Sequence, residues 1–201
     1  MKLHQKALLL SYVTVGYNII EGIASVFAGL LAGSTALVGF GSDSFVESLS
    51  GSVMIWRFRK HEKISEEEEE HIEKQATKFV AITFFILGIC VLYASVKKLY
   101  LQEKPEPSPI GMLIATASII IMPVLYYLKY QTGKAIKSKS LIADSKQTLA
   151  CLFMSISLLI GLGLNYLYEF WQVDPLVGLL IAGFLIKEGY TTFTEEKICS
   201  C

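Results

Sequence analysis

Long apolar blocks separated by short polar segments run from one end of this chain to the other. Six can be placed, at residues 7–31, 36–56, 77–99, 110–130, 141–166 and 174–187. Crossing the hydrocarbon core of a bilayer takes about 20 helical residues, because each rises only about 1.5 Å. Blocks of that length, without the short amphipathic period of a soluble helix, predict an all-α integral membrane protein folded as a six-transmembrane-helix bundle. Gly33-Ser34-Thr35 predicts a tight turn between the first two helices, and Pro105, Pro107 and Pro109 break the chain before the fourth. Pro175 fits the first turn of the sixth helix, where its missing N–H costs nothing.

Two other readings of the first block can be set aside. It follows Lys2 and Lys6 as a signal peptide would, yet it is too long, contains Asn18 and Glu21, and leads directly into a second span. Only about a dozen residues follow the sixth block, too few to bury a core of their own. Residues 1–201 therefore read as one transmembrane domain, with a charged cytoplasmic loop at 57–76.

Composition and charge sharpen this picture. The chain has 201 residues, 53% of them hydrophobic, and a net charge of zero, so no basic surface points to nucleic acid. Cys90 and Cys151 fall inside apolar blocks and Cys199 and Cys201 at the C-terminus, which is no secreted disulfide framework. Lys2, Lys6, Arg57, Arg59, Lys60, Lys63, the lysines from Lys129 to Lys139 and Lys197 all fall on one side of a six-span arrangement. The positive-inside rule then places both termini in the cytoplasm, as expected for a multi-pass protein of the plasma (inner) membrane.

Ionisable residues inside a span are costly and usually face the bundle interior. Asp43 and Glu47 stand one helical turn apart on the same face of the second block. Two carboxylates so close in a low dielectric repel each other, and a divalent ion between them relieves the repulsion; Lys146 or nearby hydroxyls are the bland alternative. The fifth block carries Asp144, Lys146, Gln147 and Cys151, with Gln147 and Cys151 again one turn apart. If the two helices face each other, Asp43, Glu47, Gln147 and Cys151 offer three oxygens and a sulfur, a set suited to a tetrahedral zinc-like ion. Taken singly, a membrane cysteine is a small apolar residue and a glutamine a helix–helix hydrogen-bonder. Asp144 reads as an anchor behind the ligands, or as a further ligand. Glu21, with Asn18 a turn before it, either lines the ion cavity and a proton path or hydrogen-bonds across helices. Ser44, Ser48 and Ser52, with Gly39, Gly41 and Gly51, mark a helix face that allows close backbone approach. His61, His71 and the glutamates from Glu66 to Glu70 read as a solvated face, and Cys199-X-Cys201 as a possible tail thiolate pair.

These residues resemble the cation diffusion facilitator (cation efflux) family, whose second and fifth helices each carry a metal-binding pair four residues apart. Here Ser34-Thr35-Ala36-Leu37 leads to Asp43 and Glu47 with that spacing. Ala143-Asp144 places Gln147 and Cys151 at the positions of the fifth-helix pair, and Asp174-Pro175 opens a similar sixth helix. The resemblance covers the family's membrane part and implies efflux of Zn²⁺ or a similar ion (Cd²⁺, Co²⁺, Fe²⁺ or Mn²⁺) as cargo. It also implies exchange for protons, alternating access and a homodimer. Two departures stand out: Gln147 and Cys151 replace the usual His and Asp, and the family's C-terminal cytoplasmic domain is not in this sequence. A membrane metal sensor or accessory subunit that binds without transporting is the second reading. An enzyme is not expected, since no span holds a Ser/Lys or His-Glu-x-x-His arrangement.

Overall fold

The computed structural model describes residues 3–60, 66–106, 108–136 and 138–198. They form six helices: α1 (Leu3–Ala32), α2 (Thr35–Lys60), α3 (Glu66–Leu101), α4 (Pro109–Ala135), α5 (Lys139–Tyr168) and α6 (Val173–Ile198). Short connections make successive helices antiparallel. α1 packs on α2 and α4, α3 on α6, and α4 on α5, while α2 touches α1, α3, α5 and α6 and so occupies the centre.

The distribution of side chains is that of a protein whose solvent is lipid. Ile20, Leu113 and Tyr93 are each 71% exposed, whereas Glu47 and Lys129 are fully buried. α1 shows the inversion along its length. Ile19, Ile20, Ile23, Phe27, Leu30 and Leu31 point outward, and Ser11, Thr14, Asn18, Glu21 and Ser25 point inward. In water such a helix would expose its apolar stripe; in hydrocarbon the polar groups must find partners inside the bundle. By length and composition α1, the Phe84–Leu101 part of α3, α4 and the Asp144–Tyr168 part of α5 suffice to cross a membrane. α2 is the most polar of the six by sequence, carrying the carboxylates and five serines within its first eighteen residues, and it is shielded by its neighbours.

The turn after α1 forms as its sequence predicts. Gly33 adopts φ +62°, the left-handed region that favours glycine. Ser34 then caps α2, its Oγ accepting the Leu37 N–H at 3.1 Å. Close approach of α1 and α2 depends on glycine: a Cβ on Gly41 would meet the Gly22 carbonyl oxygen at 2.9 Å, and one on Gly29 the Val38 nitrogen at 2.8 Å. Ser108 and Ser138 cap α4 and α5 through the Gly111 and Leu141 amides.

The helices outrun the apolar blocks. α2 continues through Lys60 and α3 starts at Glu66, so most of the charged segment at 57–76 is helix instead of loop. α6 likewise extends to Ile198, well past residue 187. Hydropathy marks where a helix leaves lipid, whereas Glu, Lys, Gln and Ala propagate a helix in water as well. His61, Cys199 and Cys201 lie outside the described residues, as do the side chains of His71 and the glutamate run at 66–70.

Candidate metal site

Three buried polar clusters are stacked along α2. At the end opposite the chain termini, Asp174 of α6 accepts from the hydroxyl of Ser34, from the Thr35 amide at 3.1 Å and from the Thr35 hydroxyl at 3.2 Å. Lys98 of α3 stands 3.7 Å from the same carboxylate. A carboxylate placed at the N-terminus of α2 is also favoured by the helix dipole. This cluster fastens α2, α3 and α6 together.

The second cluster surrounds Glu21. Its Oε1 accepts from Tyr17 at 2.9 Å and from Ser118 of α4, and its Oε2 accepts from Ser44 of α2 at 2.9 Å. Both oxygens are satisfied by hydroxyls, so Glu21 ties α1, α2 and α4 with no cation. Of the two sequence readings of this residue, the cross-helix hydrogen-bonding one describes these contacts. Ser48 and Ser52 donate to the carbonyls of Ser44 and Ser48 within α2 at 2.9 and 2.8 Å, so most of the serine ladder satisfies itself.

The third cluster contains Glu47 and joins α2, α4 and α5. Thr148 donates to Glu47 Oε1 at 2.6 Å. Lys129 of α4 donates to Thr148 at 3.0 Å, and its Nζ stands 2.8 Å from Asp144 Oδ2 and 3.9 Å from Glu47 Oε1. The contact with Asp144 is ionic, without the angles of a hydrogen bond. Glu47 Oε2 has no hydrogen-bond partner within the protein.

Of the four residues expected to hold a metal, Asp43, Glu47 and Cys151 are buried, and Gln147 is partly buried. The Cys151 thiol lies against the Glu47 carboxylate, within electrostatic reach of Asp43 and Glu21. Gln147, one turn before Cys151, has a buried Nε2 without a partner. On α1, Asn18 is fully buried with both amide atoms unpartnered. The contacts of Gly22 with Phe45 and of Gly51 with Val15 set the helix register that brings Asn18 to the level of Glu47 and Ser48. Unpartnered polar atoms thus occur on α1, α2 and α5 around the expected donors. Among the described residues, however, no three His, Cys, Asp or Glu side chains form a ready-made cage for an ion. The cation beside Glu47 is the ammonium of Lys129.

Lys129 corrects the sequence reading, which counts it among the cytoplasmic-side lysines from Lys129 to Lys139 at the end of the 110–130 block. It is fully buried because α4 continues through Ala135. It also takes the partner role that the sequence offered to Lys146, which is exposed on α5. A periodic signal for it exists. Gly111, Ala115, Ser118, Met122, Leu125, Lys129 and Thr132 recur at three- and four-residue steps and form the inner face of α4. Thr148 was equally legible, one turn after Asp144.

Comparison with known proteins bears on this arrangement. Residues 11–196 match the cation efflux transmembrane domain. Transmembrane protein 163 of Xenopus laevis is 24% identical over 186 residues, covering 92% of this chain. Protein p34 of Rickettsia prowazekii is 25% identical over 204 residues, covering 96%. The manganese efflux system protein MneS of Bacillus subtilis is 19% identical over 189 residues, covering 92%. The chain spans 65% of the length of each of these relatives.

Proposed function

This chain belongs to the cation efflux family, and we propose that it carries zinc or a similar divalent ion across a membrane through a site built on Asp43, Glu47, Gln147 and Cys151. The observation that carries the reading is Glu47 Oε2, a carboxylate oxygen buried at the centre of the bundle with no nitrogen or hydroxyl donor on it and the Cys151 thiol beside the carboxylate. The nearest cation, the Lys129 ammonium, is 3.9 Å away and lies closer to Asp144; a buried charge so loosely compensated is costly, and a dication completes the compensation. Cys151 against the same carboxylate makes the donor set soft enough for zinc and cadmium. The amide of Gln147 turns its oxygen to the ion, and Asp43 supplies the second charge from the same face of α2. Asn18, buried on α1 with both amide atoms unpartnered, stands at the same level of the bundle.

Carboxylates and a thiolate must be deprotonated to bind metal, so protons compete with the ion for the same atoms. Alternating exposure of such a site to two sides couples metal export to proton entry. We place both termini in the cytoplasm of a plasma (inner) membrane protein that works as a homodimer.

Purified protein in sealed vesicles with an internal metal indicator and an internal pH dye tests this directly. The expected result is zinc accumulation accompanied by proton movement in the opposite sense. Zinc flux without proton movement, insensitive to a pH gradient, would replace antiport with uniport. Zinc binding without any flux would make the protein a sensor or accessory subunit.

A further inference from the structure

Lys129 is the feature that neither the family match nor the donor set explains. A lysine fully buried among helices is rare in a membrane protein and has to be paired. Its pairing is lopsided. The ammonium lies 2.8 Å from Asp144 Oδ2 and 3.9 Å from Glu47 Oε1, and it reaches Glu47 chiefly through the Thr148 hydroxyl. Glu47 is therefore neutralised at arm's length, with one oxygen held and the other bare. A lysine is a single point charge on a flexible stem and cannot chelate. It can yield Glu47 to a better cation and still keep Asp144.

One ammonium is thus shared between two buried carboxylates, Asp144 and Glu47, and the nearer of them is Asp144. We propose that Lys129 is a tethered counter-cation that shields Glu47 in the metal-free protein and withdraws onto Asp144 when the ion binds. Its withdrawal is part of the binding equilibrium, so Lys129 and Asp144 set the affinity of the site without touching the ion. The inference rests on Glu47 being a cargo ligand, as proposed above.

The experiment is zinc titration by calorimetry of the full chain in detergent or nanodiscs, with no flux required. Lys129→Gln should bind zinc at least about tenfold more tightly, about 1.4 kcal/mol, because the competing charge is gone. Asp144→Asn should bind more weakly by a similar factor, since the ammonium then has only Glu47 to hold. In the Lys129→Gln background the same Asp144→Asn change should have no further effect, a coupling that a double-mutant cycle reads directly. Should Lys129→Gln alone fail to fold, the double variant removes both charges of the pair. It should then bind zinc about a hundredfold more tightly than Asp144→Asn, the two tenfold effects combined.

Unchanged or weaker binding on loss of Lys129 overturns the proposal. So does an equal loss from Asp144→Asn in both backgrounds, which would make Asp144 a ligand. Glu47→Gln separates this failure from that of the underlying site: undiminished zinc binding in that variant removes the site and the proposal together.

Discussion

Replacing Glu47 by glutamine is the most informative single change, because it keeps shape and removes charge. The amide oxygen can still accept the Thr148 hydroxyl bond, now made at 2.6 Å to the carboxylate. Lys129 loses a contact at 3.9 Å but retains Asp144 at 2.8 Å. No buried ion is stranded, so the fold should lose less than about 2 kcal/mol, within the range for hydrogen bonds to charged groups. Metal binding should suffer far more. Changes one step removed from a metal already cost 10–100-fold in affinity, so loss of a ligand charge should cost at least about 100-fold. A ligand present at 100 times its dissociation constant stabilises a protein by about 2.7 kcal/mol, and the same concentration acting on a 100-fold weaker site by about 0.4 kcal/mol. Zinc-dependent thermal stabilisation in nanodiscs, with calorimetry alongside, reads this collapse. Asp43→Asn should behave in the same way. Equal zinc stabilisation of the wild type and both variants would refute the assignment of this pair.

Other outcomes follow from the same geometry. Cys151→Ala should weaken cadmium more than zinc, and Cys151→Asp should shift preference from cadmium towards zinc or manganese, since thiolates favour soft ions; an unchanged cadmium-to-zinc ratio would make Cys151 a packing residue. Bound metal should protect Cys151, which is buried, from a small permeant thiol reagent, while Cys90, exposed on α3, should react equally with and without metal. Zinc binding should release protons into weakly buffered solution, and affinity should fall as pH falls because protons occupy the same ligand atoms; affinity independent of pH would remove ligand protonation from the mechanism. Glu21→Gln should destabilise the bundle by about 1–3 kcal/mol, since its nitrogen cannot accept the Ser44 hydroxyl. The same variant should leave zinc affinity within about twofold, and a larger loss would place Glu21 in the site.

The architecture was legible because lipid imposes long apolar blocks and the breaks between them carry plain turn chemistry. Gly33 and Ser34 show this: one supplies the left-handed residue, the other the cap, and α2 begins at Thr35. Helix ends were not legible, because hydropathy falls where the charged residues begin while α2, α3 and α6 continue as helix through them. In the site, the spacing of Asp43 with Glu47 and of Gln147 with Cys151 named the helix faces. Spacing within one helix could not show what a third helix delivers. Lys129 looked like an interfacial charge by position, and only the inward register of α4 carries it to Asp144 and Thr148.

Glu21 and Glu47 show why burial alone does not identify a transport site. Both are buried carboxylates in the same bundle, and both face neighbouring helices. Glu21 has a donor on each oxygen, supplied by Tyr17, Ser44 and Ser118, and an approaching cation would have to break good hydrogen bonds before gaining its own. That arrangement holds helices together and resists exchange. Glu47 has a threonine hydroxyl on one oxygen, no nitrogen or hydroxyl donor on the other, a thiol beside it, and an ammonium held closer to Asp144 than to itself. Its charge is balanced loosely enough for one cation to replace another without loss of the helix contacts around it. In the carrier role proposed here the site has to bind its cargo and release it, so exchangeable balance is the property required, and of these two carboxylates Glu47 is the one whose contacts allow it.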